Sequence, residues 1–80
     1  MKKIVIYTSP QCGYCKMAKQ YLDQVGAEYE EKDVSDPKIA AEAVERSGQM
    51  GVPITYFGEG DDAKMLLGFK KAEFDEALKQ

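Results

Sequence analysis

The 80-residue sequence predicts an α/β domain in the order β-α-β-α-β-β-α, with one mixed four-stranded sheet flanked by three helices. Three observations carry that reading. The apolar run Ile4-Val5-Ile6-Tyr7, rich in β-branched residues, suits a central strand buried on both faces. Apolar positions at Ala18, Tyr21, Leu22 and Val25 then follow at the i, i+3, i+4, i+7 spacing of an amphipathic helix. Two short β-type runs, Ile54-Thr55-Tyr56-Phe57 and Ala63-Lys64-Met65-Leu66-Leu67, flank a Gly/Asp-rich turn and read as an antiparallel hairpin.

Each remaining element follows in order. Gly26 supplies the left-handed residue that ends the first helix. Within Ala27 to Val34, the charged segment Tyr29-Glu30-Glu31-Lys32-Asp33-Val34 fits an edge strand protected against further pairing. That strand and the first, joined through a helix, should be parallel with a right-handed crossover. Ser35-Asp36-Pro37 is a helix start, an Asp or Ser cap followed by proline at the first helical position. The helix it opens presents Ala40, Ala43, Val44 and Ser47 on one side, small enough for close approach to a sheet, and stops at Gly48. The loop Gln49-Met50-Gly51-Val52-Pro53 delivers a proline to the start of the third strand, a position where proline is tolerated. On pattern alone a trans Val52-Pro53 bond is the expectation, since only about one X-Pro bond in twenty is cis. Gly68-Phe69-Lys70-Lys71 leads to a last helix with Phe74, Ala77 and Leu78 facing inward.

Eighty residues are read as one domain, residues 1–80, since a chain this size buries only about 60–65% of its unfolded surface and has no room for two cores. A net charge of −3 argues against a general nucleic-acid or membrane-surface binder. The start, Met1-Lys2-Lys3 and four strongly apolar residues, is far short of a signal peptide, and no run approaches the ~20 apolar residues of a membrane span. The expectation is a cytoplasmic protein whose partners are other proteins or small thiols.

Chemistry concentrates in Ser9-Pro10-Gln11-Cys12-Gly13-Tyr14-Cys15-Lys16, which holds both cysteines between a strand and a helix. A thiol at a helix N-terminus faces unpaired backbone N–H groups and the positive end of the helix dipole, which favour its thiolate. Cys15, one turn further in, is within reach to close a disulfide with Cys12 and expel whatever Cys12 has attacked. Other uses of the pair differ in what they need. A zinc site wants four ligands, and a chain with two Cys and no His supplies them only as a dimer sharing four thiolates. A structural disulfide across two residues gains little from cross-linking. Redox chemistry fits best, because the C-x-x-C sits in a strand-turn-helix context. Lys16 adds positive potential near Cys12 or is an ordinary exposed lysine. Asp61 and Asp62, with Glu59, are too few oxygens for a hard cation that wants about six.

With Cys12-Gly13-Tyr14-Cys15 and Val52-Pro53 in place, the whole chain resembles the glutaredoxin-like branch of the thioredoxin superfamily. Within it, the chain is similar to small bacterial glutaredoxin-like proteins, including the redoxins that serve ribonucleotide reductase. The resemblance implies a thioredoxin-like fold and thiol-disulfide exchange, with Cys12 as nucleophile and Cys15 as resolving thiol. It also implies a cis bond at Pro53, a Val52 backbone that pairs with bound glutathione or polypeptide, and a substrate groove completed by Tyr14, Gly68 and Phe69. No bound cofactor or metal is implied. Gly13 stands where a proline is common in glutaredoxins.

Two departures bear on the electron source. Ser9 stands where glutathione-using glutaredoxins carry a basic residue, and Gly68-Phe69-Lys70-Lys71 stands where they carry a Gly-x-Asp-type segment. The resemblance therefore implies a thioredoxin-reductase-type flavoprotein as reductant, with glutathione as the alternative. The expected substrates are disulfides of proteins, ribonucleotide reductase among them, or of small molecules, and the expected state is a monomer. A different class of function, a dimeric Fe-S or metal carrier built on the same cysteines, is the rival. Lys70 and Lys71, against the dipole of the last helix, are expected to receive an acidic partner or support the thiolate, or else to point into solvent at a frayed helix start. The first strand offers no buried carboxylate to assist Cys15, which leaves water or the departing thiolate.

Overall fold

The structure, a computed structural model, describes residues 3–48, 52–58 and 63–79. Its elements are β1 (Ile4–Thr8), α1 (Gly13–Gln24), β2 (Glu30–Asp33), α2 (Pro37–Ser47), β3 (Ile54–Phe57), β4 (Lys64–Leu67) and α3 (Lys71–Lys79). One mixed sheet runs in the order β2-β1-β3-β4, with β1 parallel to β2 and antiparallel to β3, and β3 antiparallel to β4. This is the thioredoxin-like α/β fold the sequence predicts, with the charged β2 at one edge. Asp61 and Asp62, and the loop segment Gln49-Met50-Gly51, lie outside the described residues.

The period-2 alternation of β1 divides the core. Ile4 and Ile6 pack with Phe57, Leu66, Ala18, Leu22, Phe74 and Ala77 under α1 and α3. Val5 and Tyr7 face the opposite way, onto Ala43 of α2 with Ile54 and Tyr56. Every residue of β1 is buried, which is why the strand reads as an unbroken apolar run. Under α3 the core is aromatic: Phe74 meets Phe57 and Phe69 edge-on at centroid distances of 5.4 and 5.0 Å. On the α2 side, burial and the Glu42 carboxylate push the Tyr7 phenol above its ordinary pKa, so it stays a neutral donor, bonded to Glu42. Glu42 also takes Lys32 at 2.8 Å.

The helix ends form as their residues dictate. Asp36 caps α2, its carboxylate accepting the Lys38 N–H at 2.9 Å with Pro37 first in the helix, and Gly48 closes it at φ 72°. At the end of α1, Gly26 (φ 74°) sends its N–H to the Asp23 carbonyl, and Ala27 sends its own to Leu22. This Schellman turn corrects one expectation: Val25 is the capping residue, rotated off the inward stripe and 47% exposed. A second correction concerns α2, where Val44 is exposed and the inward stripe instead runs through partly buried Ile39 and buried Ala43. Position 39, one turn before 43, carries the larger apolar side chain and takes the contact.

Phe74 is fully buried at the junction of α3, β3 and the segment before α3. Phe74→Ala is expected to cost about 3–5 kcal/mol. Urea unfolding should show the midpoint fall with little change in slope; an unchanged midpoint would contradict this packing.

Candidate active site

The site lies where β1 delivers the chain to α1. Ser9 to Gln11 turn the backbone, and the Ser9 carbonyl accepts the Cys12 N–H at 3.1 Å. Cys12 is then the N-cap of α1, in extended conformation (φ −94°, ψ 113°), and its Sγ accepts the Cys15 N–H at 3.1 Å. A sulfur in the capping position takes up one of the donors a helix start leaves unpaired, the role usually filled by Ser, Thr or Asp. That N–H and the helix dipole act more strongly on a thiolate than on a thiol. Cys12 is partly open to solvent, whereas Cys15 is fully buried. Gly13, first in the helix, has open space where a side chain would begin.

Cys15 is held as a thiol. Burial and the neighbouring Cys12 sulfur push it up to about 12, opposed by the Ser9 backbone and by Lys19. The arrangement pairs a partly open sulfur that accepts an N–H with a buried, protonated sulfur on the residue that donates it.

Opposite the cysteines stands the start of β3. The Val52-Pro53 bond is cis, as the resemblance implies and against the expectation from pattern alone. The Cys12 thiol points to the Val52 carbonyl at 3.8 Å, and the Gly68 N–H bonds the Pro53 carbonyl at 2.9 Å. Cys12, Val52, Pro53 and Gly68 are thus brought together, the first pair by the thiol and the second by a backbone hydrogen bond. Tyr14 stands out beside them, 63% exposed. Phe69 is partly buried, its ring against Tyr21 and Phe74 at 5.8 and 5.0 Å.

Lys71 is not the free cation its position suggests. It pairs with Asp75 one turn on, at 3.2 Å, and sits 5.5 Å from the centre of the Tyr21 ring, whose hydroxyl also donates to Asp75. This i, i+4 pair compensates a lysine opposed to the helix dipole, and α3 starts at Lys71 with the Phe74 N–H bonded to the Lys70 carbonyl.

One cluster beside Cys15 escaped the sequence reading. Glu31 of β2 accepts both Lys19 Nζ at 2.8 Å and the buried Thr8 hydroxyl at 2.7 Å, and these two bonds hold its carboxyl below the usual range. The available signals were the four-residue spacing from Cys15 to Lys19 and the acidic character of β2. Beside this cluster an open cleft of about 290 Å³ is lined by Lys16, Lys19, Gln20, Asp23, Tyr29 and Glu31. Among the described residues, no helix is long and apolar enough to cross a membrane, and no group of three or more His, Cys, Asp or Glu could hold a metal ion.

Comparison with known proteins places this geometry. Residues 4–61 match the glutaredoxin family model. The chain is 38% identical over 81 residues to the SPbeta prophage-derived thioredoxin-like protein YosR of Bacillus subtilis, covering 98% of this chain and 96% of that one. It superposes on the glutaredoxin-like protein NrdH-redoxin from Escherichia coli with a TM-score of 0.74 and 27% identity, covering 92% of each chain. A glutaredoxin from Archaeoglobus fulgidus shares the fold with a TM-score of 0.81 at 22% identity, over 100% of this chain and 89% of that one. With its dithiol at the start of α1 and the cis-proline facing it, the chain belongs to the glutaredoxin family.

Proposed function

We propose that this protein is a thiol-disulfide oxidoreductase that reduces protein or small-molecule disulfides through Cys12 and Cys15, and that a thioredoxin-reductase-type flavoprotein recharges it. The observation that carries the reading is the asymmetry of the pair: Cys12 open at the N-cap and bonded by the Cys15 N–H, Cys15 closed beneath it.

The steps follow from that asymmetry. Cys12 thiolate attacks one sulfur of a substrate disulfide, the substrate S–S bond breaks, and its second sulfur leaves with the electron pair and takes up a proton. The Cys15 N–H stays on the Cys12 sulfur and keeps it placed above Cys15. Cys15 then loses its proton and attacks Cys12. The mixed disulfide breaks, the remaining substrate thiol leaves reduced, and Cys12 and Cys15 are joined. An external dithiol reverses the sequence and returns two electrons. The Val52 backbone, beside Cys12 at the start of β3, suits strand-like pairing with an extended polypeptide.

Three features support a flavoprotein over glutathione. Ser9 brings no charge to the approach to Cys12. Lys71 is engaged by Asp75 and Tyr21, away from a tripeptide carboxylate. The NrdH-redoxin from Escherichia coli, similar over nearly the whole chain, is described as having a thioredoxin-like activity profile. Reduced thiols of this kind suit the cytoplasm, where C-x-x-C pairs are mostly catalytic or metal-binding.

Two experiments test the proposal. Cys15→Ser should accumulate a substrate-linked species through Cys12, seen by mass spectrometry, and Cys12→Ser should accumulate none; a link formed equally by either variant would overturn the assignment. NADPH consumption with a disulfide substrate should proceed at least tenfold faster with thioredoxin reductase than with glutathione and glutathione reductase. The reverse order would assign glutathione as the reductant.

A further inference from the structure

The second half-reaction needs a Cys15 thiolate, and Cys15 is fully buried. Cys12 lies above it, and Lys19 lies one turn further along the same helix, a spacing that puts side chains on neighbouring positions of one face. Lys19 itself faces Glu31 and Tyr29 from the β2 side. The lysine is not loose: Glu31 binds its Nζ at 2.8 Å and is itself fixed by the buried Thr8 hydroxyl at 2.7 Å, so three elements hold the ammonium at the flank of α1. Lys19 and Glu31 line an open cleft, so the ion pair itself is in reach of water.

We propose that Lys19 is a positioning residue for the resolving step: its ammonium stabilises the Cys15 thiolate that attacks Cys12, and Glu31 sets how much of that charge Cys15 feels. The inference rests on the thiol-disulfide exchange described above. In the balanced step, Cys15 gives up its proton to solvent and forms the S–S bond to Cys12. The Cys12–substrate bond breaks, its electron pair goes to the substrate sulfur, and that sulfur takes a proton from solvent. The charge of Lys19 is unchanged throughout. Thr8 and Glu31 are fixed supports.

Because Glu31 neutralises part of the Lys19 charge, the two members of the ion pair act in opposite directions on Cys15. Removing the lysine takes away a stabilising charge; removing the carboxylate exposes one. A pair that served structure alone would give the same sign for both, since either change breaks the same contact.

A chromogenic aromatic disulfide in stopped flow separates the steps, because Cys12 attack releases the first aromatic thiol and Cys15 attack releases the second. Lys19→Met should leave the first phase at the wild-type rate and slow the second roughly three- to tenfold at neutral pH. Lys19→Arg should retain the wild-type second phase, and Glu31→Gln should speed it. An unaltered second phase in Lys19→Met, or equal slowing in Lys19→Met and Glu31→Gln, overturns the inference while leaving the exchange chemistry standing. Absence of a first phase in the wild-type protein overturns both.

Discussion

A single backbone donor organises this protein's chemistry: the N–H of Cys15, which the Cys12 sulfur caps. A helix start always leaves such donors unpaired. Here one is met by a sulfur rather than an oxygen, so the ordinary geometry of a helix cap becomes the means of holding a nucleophile. The same residue that donates carries the second sulfur. Binding the first thiol and placing the second beneath it are therefore one structural fact, set by three residues of sequence and the first turn of α1.

That turn is useful because of what surrounds it. β1 sits inside the sheet between β2 and β3, buried along its whole length, and fixes where α1 begins. β3 enters from the other side through Pro53, whose carbonyl anchors Gly68. Phe69, Phe74 and Phe57 then tie the approach to α3 into the core. The aromatic packing that stabilises the domain thus also holds the wall facing Cys12. Phe69 serves that wall from within, while the exposed ring near the thiols is Tyr14.

Much of this was legible in the chain itself. The unbroken apolar run of β1 announces burial on both faces, Asp36-Pro37 announces a helix start, and Gly26 and Gly48 announce helix ends; each is a local rule with a local cause. The dithiol was legible for the same reason, since its chemistry depends on the turn that contains it. Contacts set by tertiary placement were not. Val25 follows the stripe by spacing, yet the cap turns it outward. Glu31 meets Lys19 and Thr8 only because β2 lies parallel to β1 in the register that pairs Tyr7 with Lys32 and Thr8 with Asp33. The partner of Lys71, Asp75, sits at an ordinary i, i+4 helical spacing and is local enough to be legible in the chain.

The central claim, that one sulfur is presented and the other kept back, is tested most directly by alkylating the reduced native protein with substoichiometric iodoacetamide at neutral pH and mapping the modified peptides. The account predicts label on Cys12, with Cys15 labelled only after denaturation. Equal labelling of both cysteines in the folded protein, or label on Cys15 first, would contradict it.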